Sequence, residues 1–145
     1  SCTYGGNPLS SSVGAAVLDY IEAHDLVTRA GQMGDRLLDR LRQGLADSPY
    51  VGDIRGKGLF VGIELVRDRA TKQPFPPEMD LGFQIELEAI RRGLILLAGV
   101  TGLVDGVAGD HLELVPPYTI EDEHIDIIVQ TLREVIPDVI SRSAA

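Results

Sequence analysis

The chain of 145 residues has one cysteine, no tryptophan, and few aromatics of any kind. A lone Cys2 excludes an intrachain disulfide framework and a cysteine-rich zinc site, and it fits a reducing cytoplasm. His24, His111 and His124 are far apart, so no metal cage is expected. Basic residues are also scarce: thirteen against twenty-two acidic ones, a net charge of −9. That balance disfavours nucleic acid and anionic lipid as partners, and no Lys/Arg cluster interleaves with aromatics. No apolar run approaches the roughly 20 residues that span a bilayer, so no membrane partner is expected. The start lacks an initiator Met, a signal-like apolar run and a polar lead-in, and it reads as the middle of a longer protein.

The residues that are present suit one globular domain with a real core, at 44% hydrophobic and 24% charged. Gly5-Gly6 allows unusual backbone angles, Asn7 is a favoured N-cap and Pro8 fits the first helical turn. A helix is predicted over 8–23, with Leu9, Val13, Val17, Tyr20 and Ile21 as its apolar stripe and Ser10–Ser12, Gly14, Ala15 and Ala16 as a small-residue surface. Such a surface on the outside of a small domain is expected to belong to a larger interface, leaving Leu9, Val13 and Val17 open. A second helix is predicted over 26–46, with Val27, Ala30, Leu37, Leu38, Leu41 and Leu45 inward.

Strands follow at 50–54 and 59–66, joined by an Arg55-Gly-Lys-Gly58 turn. A polar loop over 68–77 leads to a helix from Pro77 to Arg92 with Leu87 and Ile90 inward. Leu94–Leu97 reads as a short buried strand, 98–109 as a glycine-rich excursion and 111–115 as another strand. Thr119 with Asp122 predicts a capping box for the last helix, packed through Ile125, Ile128, Val129, Leu132 and Val135. The expected fold class is α+β: a short, mainly antiparallel sheet with helices on one face.

Thr3-Tyr-Gly-Gly-Asn-Pro-Leu9, Val51-Gly-Asp-Ile-Arg-Gly-Lys-Gly-Leu-Phe60, Gly62–Val66, Arg92–Ile95 and Val115-Pro-Pro-Tyr-Thr-Ile120 together resemble class III aminotransferases. These are pyridoxal 5'-phosphate (PLP) enzymes of several hundred residues. The blocks keep the family's order over nearly the whole chain, which therefore looks like a C-terminal third. The resemblance implies that 1–25 end a large PLP-binding domain and that 26–145 form the small domain. It also implies a cytoplasmic homodimer acting on an amine or amino acid and a keto acid.

Transamination requires a lysine to hold the cofactor and shuttle a proton. Neither Lys57 nor Lys72 matches the family's lysine, which lies upstream in relatives together with the acidic partner of the pyridine nitrogen. No catalytic residue is therefore assigned within the chain, and the piece alone is expected to be inactive. Thr3 is carried over as a cofactor contact, its hydroxyl reaching a phosphate bound mainly by the neighbouring subunit.

Many relatives place a substrate-gripping arginine three residues before Pro-Pro, where this chain has Glu113. A carboxylate there repels an α-carboxylate and attracts a second amine; alternatively it is an exposed strand residue, paired with an arginine. His111 beside Asp110 lacks a nucleophile and is taken as a strand-edge histidine. Two other readings of the whole stay open: a free-standing interaction or regulatory module derived from such an enzyme, and an aminomutase of the same family.

Overall fold

The computed structural model describes residues 5–100, 102, 104 and 106–143. Two helices, α1 (Pro8–Ala23) and α2 (Leu26–Gly44), precede a hairpin of β1 (Val51–Lys57) and β2 (Phe60–Leu65). A 3-10 turn at Pro77–Met79 leads into α3 (Leu81–Arg91), then β3 (Leu97–Ala98), β4 (Asp110–Leu114) and α4 (Asp122–Ser143). The sheet order is β1-β2-β4-β3, with every pairing antiparallel. This is the α+β arrangement expected from the sequence.

Strand alternation divides the sheet into two faces. Val61, Ile63 and Leu65 of β2 and Leu112 and Leu114 of β4 are buried against helices α2, α3 and α4. From the helical side come Leu37 and Leu41 of α2, Leu81 and Ile85 of α3, and Ile125, Leu132 and Ile136 of α4. All of these are essentially inaccessible to water, and they form one continuous core. Ion pairs line the seam between α2 and α4. Arg29 donates to the carbonyls of Tyr118 and Ile120 and to Glu121, Arg36 donates to Asp122, and Arg40 donates to Asp122 and Asp126. Exposed pairs of this kind each contribute about 0–1 kcal/mol, so they orient α4 more than they hold it.

Several sequence expectations need correction. The 55–58 segment is not a turn: β1 runs through Lys57 and the reversal falls at Gly58-Leu59, where Gly58 takes φ +55°. In α3 the inward residues are Leu81, Gly82, Ile85 and Ala89, whereas Leu87 and Ile90 face water. The stripe of α3 that meets the core is Leu81, Ile85 and Ala89, spaced four residues apart, and α2 likewise presents Leu26, Met33 and Gly34 while Val27 is exposed.

Leu94–Leu97 is only half buried. Leu94 and Leu96 point inward, but Ile95 is 83% exposed, and pairing begins only at Leu97. Thr119 forms no capping box. The Glu121 N–H donates to His124 Nδ1 and the Glu121 carbonyl accepts from Ile125, so Glu121 and His124 close that helix end. His111 lies on an interior strand, since β3 covers the far edge of β4.

Candidate functional site

The face of the sheet opposite the helices carries half-buried and exposed side chains rather than core residues. Cross-strand register sets its side chains in two rows: Glu64, His111 and Gly99, and beside them Arg55, Gly62, Glu113 and Leu97. Phe60 and Leu97 flank these polar groups and are more than half exposed. The His-x-Glu spacing of β4 puts both side chains on this face, one strand period apart. His111 Nε2 lies 3.1 Å from Glu113 Oε1, while its Nδ1 is buried without a partner among the described residues. Glu113 is therefore paired with an imidazole and not with an arginine.

Toward β1 the face carries Asp53 opposite Glu64, two like charges that Arg55 and Lys72 balance. The Arg55 guanidinium, 2.9 Å away, holds the Asp53 carboxyl below its ordinary range. Lys72 donates to the Gly52 carbonyl and stands 3.7 Å from Glu64, so its amine is engaged in the loop. Lys57 ends β1 in an exposed position.

The other candidate positions are less productive. Thr3 and Cys2 lie outside the described residues. At the start of α1 the Asn7 side chain accepts from the Leu9 and Ser10 N–H groups, and the Asn7 carbonyl accepts from Ser11. Those donors are taken, so an anion cannot use them. An apolar trough of about 540 Å³ beside Pro116-Pro117 is lined by residues such as Ile95, Val115 and Ile127. Its one titratable side chain, His124, accepts at Nδ1 from the Glu121 N–H and belongs to the helix end rather than to a cluster of polar groups.

Two features near this face have no signature in the sequence. Asp110 is 1% exposed, accepts from the Gly82 N–H at 3.3 Å, and leaves Oδ2 without a partner among the described residues. Burial pushes its carboxyl above the ordinary range, against the helix N–H that favours the anion. Gly99 is the second: a Cβ placed there would fall 1.8 Å from the His111 ring. Neither follows from a motif, because each depends on a partner from another element.

The class III aminotransferase family model matches residues 1–136. The chain belongs to the class III aminotransferase family. An uncharacterized aminotransferase of Schizosaccharomyces pombe is 39% identical over 96% of this chain and 30% of its own length. A Bacillus anthracis aminotransferase structure superposes with a TM-score of 0.80 at 35% identity, over 94% of this chain and 29% of that one. An amine transaminase from an uncultivated Pseudomonas species, in its PLP-bound internal aldimine form, gives 0.79 at 31% identity, over 95% and 29%.

The chain thus spans about 30% of the length of the first relatives it matches. The family implies PLP. The described residues do not form a cradle for it: neither lysine of the chain stands at a cofactor-like cluster, and the helix N-terminus is capped from within. Among the described residues no group of three His, Cys, Asp or Glu side chains could hold a metal ion. No described helix is long and apolar enough to cross a membrane.

Proposed function

We propose that the complete protein bearing this chain is a PLP-dependent aminotransferase, a cytoplasmic homodimer that moves an amino group from an amine or amino acid to a keto acid. The observation that carries the reading is the match of nearly the whole chain to under a third of a PLP-bound amine transaminase. In this reading residues 26–145 are the small domain and residues 1–25 end the large one. The exposure of Leu9, Val13 and Val17, at 75%, 56% and 51%, supports a helix that awaits cover.

PLP, when bound, supplies the electron sink of the reaction. This chain contributes binding and orientation. Thr3 donates its hydroxyl to the cofactor phosphate across the dimer, and Glu113 on the open face meets the amino donor. A carboxylate there disfavours a donor carrying an α-carboxylate and favours one with a second ammonium. In this reading the chain alone is inactive, since neither Lys57, exposed at the end of β1, nor Lys72, which donates to the Gly52 carbonyl, stands where the family's reactive lysine would be.

The test reconstitutes the complete protein with PLP and measures amino transfer to pyruvate beside the 145-residue chain. Turnover by the complete protein alone is expected, and turnover by the short chain would sink the assignment of the reactive lysine elsewhere. Thr3→Ala in the complete protein should weaken PLP about tenfold or more, the loss of a hydrogen bond to a charged group. An unchanged PLP titration removes Thr3 from the site.

A further inference from the structure

We infer that Gly99, His111 and Glu113 form a positioning relay that aims one carboxylate at a donor's distal ammonium; the inference rests on the reading above, in which Glu113 meets the donor. Its parts come from β4 and from the residue that follows β3. β3 and β4 run antiparallel, and the Gly99 N–H donates to the His111 carbonyl at 2.9 Å, which makes the two residues cross-strand neighbours. The His111 ring occupies the volume that any side chain at position 99 would fill, its Cε1 and Nε2 lying 1.8 Å from where a Cβ would sit. Glycine at 99 is therefore a requirement for this ring position, for steric and not for conformational reasons.

The ring in turn fixes the carboxylate. Nε2 stands 3.1 Å from Glu113 Oε1. The tautomer with its proton on Nε2 donates to Glu113 and leaves Nδ1 as a buried acceptor. A proton on Nδ1 instead would bury a donor with no partner among the described residues, and would remove the donor to Glu113. With a neutral ring the pair keeps one full negative charge. Glu113 Oε1 is held, while Oε2 forms no hydrogen bond among the described residues.

Space for a ligand lies on the other side of the carboxylate. Gly62 is the β2 neighbour of Glu113, and a Cβ built there meets only the Arg55 carbonyl, at 3.9 Å. One glycine thus seats the imidazole and another keeps the approach to Glu113 open. Leu97 borders Glu113 from β3 and supplies apolar surface for a methylene chain. A primary amine whose far end carries a second ammonium, separated by a short aliphatic spacer, matches this sequence of surfaces.

The test compares putrescine with n-butylamine as donors for the PLP-loaded complete protein, reading the ratio of their kcat/KM values. Glu113→Gln should lower that ratio about ten- to hundredfold, the range for losing a hydrogen bond to a charge. His111→Leu and Gly99→Ala should lower it several-fold, through a higher KM for putrescine rather than a lower kcat. His111→Gln, whose amide can donate from the Nε2 position, should restore most of it. A Glu113→Gln protein with an unchanged ratio, or a wild type that accepts neither amine, removes the donor-facing reading and the relay with it. If Glu113→Gln lowers the ratio while His111→Leu matches wild type, the reading stands and the relay falls. His111→Leu and His111→Gln decide this even if Gly99→Ala does not fold.

Discussion

Helices α1 and α4 make opposite use of their apolar residues. Nine of the sixteen residues of α1 are Ala, Val, Leu, Ile or Tyr, yet none is buried. In α4 only nine of twenty-two are Val, Leu or Ile, yet seven of those are buried, together with Thr131. The more apolar helix is the less buried one. Burial depends on having a layer to pack against: α4 packs on α2 and α3 and shares the core with the sheet, while the main neighbour of α1 among the described residues is α2. What holds α1 is local: the Asn7 cap and Pro8 in the first turn. What holds α4 is tertiary, to the point that it carries Pro137 in its interior, where an isolated helix is disfavoured by about 3 kcal/mol.

The contrast is broken most directly by deleting side chains. In the 145-residue chain Leu132→Ala should cost about 2–5 kcal/mol in urea unfolding, because Leu132 is fully buried and its removal leaves a cavity. Val13→Ala should stay within about 0.5 kcal/mol there, as for other surface changes. Repeating Val13→Ala in the complete protein sharpens the point: a cost that appears only there locates the missing cover of α1. A large cost in the short chain would mean that α1 is already packed.

Added atoms probe the same difference at a smaller scale. A Cβ at Gly34 of α2 would fall 2.2 Å from the Gly58 carbonyl oxygen, where helix and hairpin turn touch. Gly34→Ala should therefore destabilise by about 1–3 kcal/mol, since backbone must move. A Cβ at Gly14 of α1 meets nothing within 4 Å. Gly14→Ala should stabilise the short chain by up to about 1 kcal/mol through helix propensity, read as a rise in Tm. Equal effects at the two sites would abolish the distinction.

The smallest effect concerns helix starts. Asn7 caps α1 with a neutral amide from the adjacent residue, whereas α3 receives the buried Asp110 carboxylate from β4. Since burial raises the Asp110 carboxyl, the folded state holds its proton to higher pH than the unfolded state does. Stability conferred at low pH is then lost as pH rises through the folded value. Wild type should lose Tm relative to Asp110→Asn as pH climbs from the ordinary carboxylate range toward neutrality. Parallel Tm curves would show that Asp110 ionisation does not couple to folding.

Much of this molecule could be read before any coordinates. The bounds of α1 follow from Asn7-Pro8 and the first turn, and the β1–β2 hairpin from alternation around Phe60–Val66. The aminotransferase family follows from blocks kept in order. Errors fell where periodicity alone decided rotation. Leu87 and Ile90 are apolar at helical spacing, but the stripe of α3 that meets the core is Leu81, Ile85 and Ala89, which leaves them exposed. Glu113 was legible as a candidate because it stands before Pro-Pro; its imidazole partner was legible only as an i, i+2 neighbour on a strand.

The sequence by itself determined the family, the local helix starts and the in–out alternation of the strands, because each depends on neighbours a few residues apart. Only the tertiary structure decided which apolar residues are covered, that Asp110 anchors α3, and that Gly99 seats the ring holding Glu113. Those outcomes depend on atoms from elements far apart in the chain sharing one volume, and excluded volume and burial act only once the layers have met.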